Sequence, residues 1–299
     1  MKLLVQAFED EAAPAQSLAD ALGAPFAPIA LHRFPDGEAL PTVSGAGETV
    51  IVYRSLDRPD AKLMPLLLAA EAWRGAGVRR LVLVAPYLCY LRQDARFRPG
   101  QPISRDVIAG LIGPRFDRIV TVAPHLHRTR DLAVAFGTRA TVLSAADALA
   151  AALADGAADT PVVVGPDVES EPSAAALAER LGAPHATLRK IRHGDREVAL
   201  TVPADLDVAG RRVVLADDVC SSGATLAAAA VALAARGAVR VEAAVAHGLY
   251  DAVALSALRE AGVARIVATD SCAHPGPSAA LAPTLAQALK ADLVGDLDR

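Results

Sequence analysis

Residues 211–230 read RRVVLADDVCSSGATLAAAA. A short β-branched strand runs into two adjacent acids, then a loop of small residues, then an alanine-rich helix. That order suits phosphate binding. The backbone N–H groups and hydroxyls of Ser221, Ser222, Gly223, Ala224 and Thr225 can face a phosphate, helped by the N-terminus of the helix that follows. Asp217 and Asp218 are placed to hold ribose hydroxyls beside it. An ordinary strand end followed by a helix cap would account for each feature singly, but not for their occurrence together.

Working outward, short apolar runs recur at residues 3–7, 49–53, 81–85, 119–123, 162–165, 213–216, 241–246 and 266–269. Most are apolar at nearly every position, as strands covered on both faces are. Ala- and Leu-rich stretches of helical length lie between them, for example at 61–76, 225–236 and 252–261. Strand and helix in alternation predict an α/β chain with mostly parallel sheets. One joint appears in related forms, RGAGVRRLVLVAP from Arg74, RGAVRVEAAVAH from Arg236 and EAGVARIVATD from Glu260. In each, a glycine ends a helix and a buried strand follows. RRLVLVAP at Arg79 echoes RRVVLADD at Arg211, which hints at two similar halves. The low-complexity stretch SAADALAAALADGAADTP places the boundary at 140–160, giving domains of residues 1–145 and 146–299, with the last helix free to pack back on the first.

The bulk properties narrow the function. A net charge of −4 and a pI near 6.0 over 299 residues give no basic footprint for nucleic acid. Cys89, Cys220 and Cys272 are far apart and form no CxxC pair, which suggests neither a disulfide framework nor a zinc site. No apolar stretch approaches the ~20 residues that cross a bilayer, and acids interrupt the first apolar run at once, unlike a signal peptide. A cytosolic protein with no membrane or nucleic-acid partner is expected.

Five further segments carry chemistry. RFPDGEA at Arg33 offers an aromatic residue and acids at a turn. PYLCYLRQDARFRPGQPIS, residues 86–104, gathers Arg92, Arg96 and Arg98 after a strand, where cations suit a polyphosphate. VTVAPHLHRTRD supplies His125 and His127 just beyond another strand. VVVGPDVES delivers Asp167. In LRKIRHGDREVAL, Lys190 and Arg192 are i and i+2, on one side of a strand.

In this order the segments resemble the ribose-phosphate diphosphokinase family, from about Arg33 to about Asp270, with the catalytic loop in the short form found in archaeal members. AHGLYD around His247 matches as well, in a structural role. The resemblance implies two tandem phosphoribosyltransferase-like domains, each a mostly parallel sheet flanked by helices. It implies ATP and ribose 5-phosphate as substrates, Mg²⁺ as the metal and a homo-oligomer as the assembly. By the same resemblance Phe34, Asp36, Glu38, Arg92, Gln93, Asp94 and Arg96 bind ATP. His125 and Asp167 bind metal, Lys190 and Arg192 are catalytic, and Asp217, Asp218 and Ser221 to Thr225 take ribose 5-phosphate. The chain departs from the family pattern at Ala123, where an aspartate is usual, at Val168–Ser170 in place of alanine and two glycines, and at Ser222 and Ala224 in place of threonine and a second glycine. Those departures keep two alternatives in view, a non-catalytic regulatory homologue and a phosphoribosyltransferase.

Overall fold

The computed structural model describes residues 3–44, 47–126, 128–129, 131–154, 159–193 and 197–295. They form two compact units, one of Met1–Leu143 together with Ala282–Arg299, the other of Ser144–Leu281.

The first unit is built on β1 (Leu3–Phe8), β2 (Phe26–Arg33), β3 (Ala39–Thr42), β4 (Thr49–Tyr53), β5 (Arg80–Val84), β6 (Arg118–Val122) and β7 (Arg139–Leu143), in the sheet order β3-β2-β1-β4-β5-β6-β7. Only the β2/β3 pair is antiparallel. Helices α1 (Ala12–Leu22), α2 (Asp60–Gly75), α3 (Ser104–Ile112) and α4 (Leu132–Phe136) make the connections. β4, TVIVY, is buried at every position, which is why it reads as an uninterrupted apolar run. In the core, the Trp73 indole N–H donates to Gln6 Oε1 at 2.6 Å, so the largest buried side chain leaves no donor unpaired. Pro65 inside α2 has no N–H for the Ala61 carbonyl, and Arg33 Nη2 donates to that oxygen instead, at 3.4 Å.

The second unit comprises α5 (Ala146–Ala154), β8 (Val162–Gly165), α6 (Glu171–Leu181), β9 (His185–Thr187), β10 (Arg189–His193), β11 (Glu197–Thr201), β12 (Arg212–Cys220), α7 (Ala224–Ala235), β13 (Arg240–Gly248), α8 (Ala252–Glu260), β14 (Val263–Thr269) and β15 (Ser278–Ala279). Its main sheet runs β15-β14-β13-β12-β8-β9, parallel throughout, while β10 and β11 form a separate antiparallel ribbon. The chain ends in α9 (Ala282–Gly295), which packs against α1 in the first unit. Among the described residues no helix is long and apolar enough to cross a membrane.

The repeated joint behaves as its sequence predicts. Gly77, Gly237 and Gly262 each follow a helix end at positive φ (84°, 88° and 89°), and β5, β13 and β14 come next. The echo between Arg79 and Arg211 needs correcting. It relates β5 to β12, yet β12 lies beside β8 as β4 lies beside β1, so these two strands do not hold equivalent places in their sheets. β12 is also longer than residues 213–216. It continues through Asp217 and Asp218 to Cys220 because β13 supplies partners as far as Gly248.

In an open parallel sheet, ligands sit beyond the carboxyl ends of the strands where strand order reverses. In the first unit that point lies between β1 and β4, in the second between β8 and β12.

Candidate active site

The switch point of the second unit collects acids. Asp167 stands two residues past β8, and Asp217 and Asp218 lie on the adjoining β12. Burial, reinforced by the hydrogen bond and charge of Asp218 and by the charge of Asp167, raises the Asp217 carboxyl well above the usual carboxylate range. Asp217 Oδ1 accepts from the Asp218 N–H at 2.9 Å. Such a group gains from hydroxyl donors or a cation that would offset the crowded negative charge. Asp167 also has a local duty. Its Oδ1 accepts from the N–H groups of Glu169 and Ser170 at 3.1 and 3.2 Å, closing a capping box with Ser170 at the start of the 3₁₀ turn Val168–Ser170.

Beyond β12, Ser221 and Ser222 are exposed and Gly223 is the N-cap of α7 at φ +74°. A side chain at Gly223 would meet Leu258 at 3.0 Å, so both the backbone angle and the space call for glycine. Ala224 is already the first residue of α7, a place where alanine is at ease, so it does not constrain the loop. The first-turn amides of α7 have no intrahelical acceptor, as in any α-helix, and the helix dipole lies behind them. Cys220 is buried beside this loop and its thiol is pushed up to about 12 by burial, which leaves it unreactive. Lys190 and Arg192 occupy alternate positions of β10, in register with Leu200 and Val198 of β11.

The first unit carries the remaining predicted residues at two places. At the β2/β3 turn, Phe34 is 41% exposed and its ring meets His32 edge-on, with centroids 4.5 Å apart. Gly37 at φ +93° lets the chain reverse, Asp36 Oδ1 accepts from the Glu38 N–H at 3.1 Å, and both acids are exposed. After β5, Tyr90 takes φ +61° and its hydroxyl donates to Asp60 at 2.8 Å. Arg92, Gln93 and Arg96 follow, all exposed. Asp94 differs. Its side chain is fully buried and Oδ1 accepts from Arg128 at 3.1 Å, while the Arg128 guanidinium lies 5.5 Å from the centre of the Phe97 ring.

The loop carrying Arg92 and the loop carrying His125 are therefore tied together, a second time by Arg105 donating to Thr129 at 2.7 Å. His125 is half-buried three residues past β6, just after Ala123 at φ +38°. His127 lies outside the described residues. Arg128 was not singled out in the sequence, where it is one cation among several in HRTRD.

Among the described residues no group of three or more His, Cys, Asp or Glu stands ready to cage a metal. Single donors such as Asp167 in the second unit or His125 in the first suit an ion that is held mostly by substrate phosphates and water, which is how Mg²⁺ usually binds.

Comparison with known proteins matches residues 3–114 to the N-terminal domain of ribose phosphate pyrophosphokinase and residues 138–267 to the phosphoribosyl transferase domain. The ribose-phosphate pyrophosphokinase of Methanopyrus kandleri is 36% identical over 279 residues, covering 91% of this chain and 94% of the relative. That of Halobacterium salinarum is 34% identical over 278 residues, covering 92% and 96%. Among solved structures, phosphoribosylpyrophosphate synthetase from Mycobacterium smegmatis superposes with a TM-score of 0.82 at 25% identity, covering 99% of this chain and 100% of that one.

Proposed function

The chain belongs to the ribose-phosphate pyrophosphokinase family, and on that premise we propose how its residues divide the work of the reaction. The enzyme transfers the β,γ-diphosphoryl group of ATP to the anomeric hydroxyl of ribose 5-phosphate. The anomeric oxygen bonds to the β-phosphorus and gives up its proton to solvent, the bond between that phosphorus and the α,β-bridging oxygen breaks, and AMP leaves with the electron pair. The products are phosphoribosyl diphosphate and AMP.

The acids gathered at the switch point of the second unit, beside the N-terminus of α7, carry the assignment of the acceptor half. Ser221, Ser222, Gly223, Ala224 and Thr225 take the 5-phosphate, and Asp217 and Asp218 accept from ribose hydroxyls. With the phosphate and the sugar both held, the anomeric oxygen is positioned for in-line attack. The donor half is served by the first unit. Phe34 stacks on adenine, Asp36 and Glu38 bond to the nucleoside, and Arg92, Gln93 and Arg96 meet the phosphates. Asp94 is buried and acts through Arg128 rather than on the nucleotide itself. Lys190 and Arg192 stabilise the charge that develops on the transferred group.

Mg²⁺ would be held by His125 in the first unit and, separately, by Asp167 in the second, each with substrate oxygens, and when bound it would neutralise phosphate charge. No side chain is needed as a general base in this scheme, because catalysis of phosphoryl-type transfer rests on positioning and charge. The same reading makes the protein a cytoplasmic homo-oligomer, which sedimentation of the purified chain tests.

The experiment is phosphorus NMR of purified protein with Mg²⁺, ATP and ribose 5-phosphate. Stoichiometric AMP and a new diphosphate ester on the sugar, both dependent on the sugar, are the expected result. Bound ATP without turnover would instead identify a non-catalytic homologue. No AMP from ATP, together with consumption of added phosphoribosyl diphosphate and a nucleobase, would identify a phosphoribosyltransferase.

A further inference from the structure

The two units repeat one design, and the repeat assigns a position to each residue near the switch points. β1 is followed by the 3₁₀ turn Glu9–Glu11 and by α1, an 11-residue helix closed by Gly23. β8 is followed by the 3₁₀ turn Val168–Ser170 and by α6, also of 11 residues, closed by Gly182. Val5 N–H donates to Pro25 O as Val163 N–H donates to Pro184 O. Val5 is opposite Ile51 on β4, and Val163 is opposite Val214 on β12. Counting on from the β4 and β12 partners, Arg54 of the first unit stands where Asp217 stands in the second. Matching the two 3₁₀ turns, of which the second begins one residue farther on from Val163 than the first does from Val5, Glu11 stands where Ser170 stands.

The charge at this shared position is thus inverted, and the first unit's crevice is filled from within. Glu11 Oε2 accepts from Arg54 Nη1 at 3.2 Å. Glu11 Oε1 accepts from the Ser55 N–H at 3.1 Å and from Lys62 Nζ at 2.9 Å. Two cations and a backbone amide converge on one carboxylate, as they would on a bound anion. Asp10 accepts from Arg54 at 2.6 Å and Asp57 from Lys62 at 2.5 Å, so each cation keeps one acid if Glu11 is removed. The vacancy left by Glu11 would still present three donors, the two cations and the Ser55 amide, to one carboxylate. Burial pushes the Glu11 carboxyl up, and Arg54 and Lys62 pull it only part of the way back, so the arrangement is not one that charge pairing alone would select.

We propose that Arg54, Lys62 and the Ser55 amide form a carboxylate-binding cradle at the first unit's switch point, a second copy of the ligand crevice, in which Glu11 is the built-in ligand. The first unit is thereby closed to any free ligand at the place where the second unit is open. The cradle itself stands on the geometry of the first unit; that it copies a ligand crevice rests on the roles proposed for Asp217 and its neighbours.

Chemical rescue tests it. Thermal unfolding of the full chain is followed for wild type, Glu11→Ala and Glu11→Ser, the last copying the residue of the other unit, in chloride, formate and acetate at matched ionic strength. Both variants are expected to melt lower than wild type in chloride. Formate or acetate should raise their Tm saturably, by about 2–4 °C beyond any change in wild type, and Glu11→Ala/Lys62→Met should lose that response. Should the variants fail to fold in chloride, the yield of folded protein on refolding in acetate against chloride reads the same rescue. If carboxylates give neither variant more than they give wild type, by Tm or by refolded yield, Glu11 is an ion-pair partner only and the cradle does not exist.

Discussion

Asp292 of α9 accepts a hydrogen bond from Arg80 of β5 at 2.5 Å, across 212 positions of sequence. The same carboxylate accepts from Arg118 of β6, so one acid on the last helix bridges the first residues of two neighbouring strands. Its side chain is 6% exposed and those of both arginines 16%. Removing the acid takes a charged hydrogen-bond acceptor from two largely buried cations at once. Asp292→Ala should cost about 3 kcal/mol, and Asp292→Asn less, because the amide keeps one acceptor. Urea unfolding measures the loss. Limited proteolysis should cut the variant earlier near α9, since the helix is anchored to the first unit through this residue and through α1.

Two neighbouring positions in the loop proposed to take the 5-phosphate should differ in their effects. Gly223 has φ +74° and a side chain there would crowd Leu258 at 3.0 Å, so Gly223→Ala should cost about 1–2 kcal/mol of stability and raise KM for ribose 5-phosphate while leaving KM for ATP unchanged. Ala224→Gly restores the residue usual in the family, yet position 224 is already helical. The change should improve neither constant and should lower stability by at most about 1 kcal/mol. A gain in kcat/KM for Ala224→Gly would mean that the alanine does restrict the loop. Steady-state kinetics with each substrate varied decides both.

Asp217 ties stability to pH. Its carboxyl is raised in the folded protein, chiefly by burial and then by Asp218. The folded state therefore holds this proton more tightly than the unfolded chain does. The stability it contributes is fully present below the ordinary aspartate pKa and is lost as pH rises through the raised value. Asp217→Asn should remove that dependence, giving a ligand-free protein more stable than wild type at neutral pH but poor in binding the sugar phosphate. The measurement is the urea midpoint at a series of pH values from 4 to 8. A midpoint that falls equally with pH in both proteins would place the titration elsewhere.

How far the sequence could be read depended on burial. β1, β4, β5, β6, β8, β13 and β14 stand within a few residues of their apolar runs, because a parallel strand covered on both faces has no polar positions to interrupt it. The half-exposed β2, FAPIALHR, mixes apolar and polar residues, and it was not legible as a strand for that reason. The acids of β12 stood out in the sequence but misled as structure, since they look like the end of a strand whose pairing in fact continues to Cys220. Asp94 looked like a ligand contact beside Arg92 and Gln93, yet its carboxylate points inward to Arg128, 34 positions away. Nothing local in RQD distinguishes an inward acid from an outward one. The cluster of Glu11 with Arg54 and Lys62 was unreadable for a related reason: its members are 43 and 51 positions apart and meet only because β4 lies beside β1.

Lys190 gives the sharpest test of the proposed chemistry. It stands on β10 with Arg192 two residues on, in the ribbon formed with β11. A cation that engages the diphosphoryl group only as charge develops contributes to the transition state and little to the bound ground state. Lys190→Ala should then lower kcat by about 10²–10³-fold while the Kd for ATP changes little, so that kcat and kcat/KM fall together. Arg192→Ala should act in the same direction, and the double variant should lose less than the product of the two single losses, because the two cations serve one group. A KM for ATP that rises as much as kcat falls, in either variant, would move these residues from catalysis to nucleotide binding and leave the transition-state role to Arg92 and Arg96.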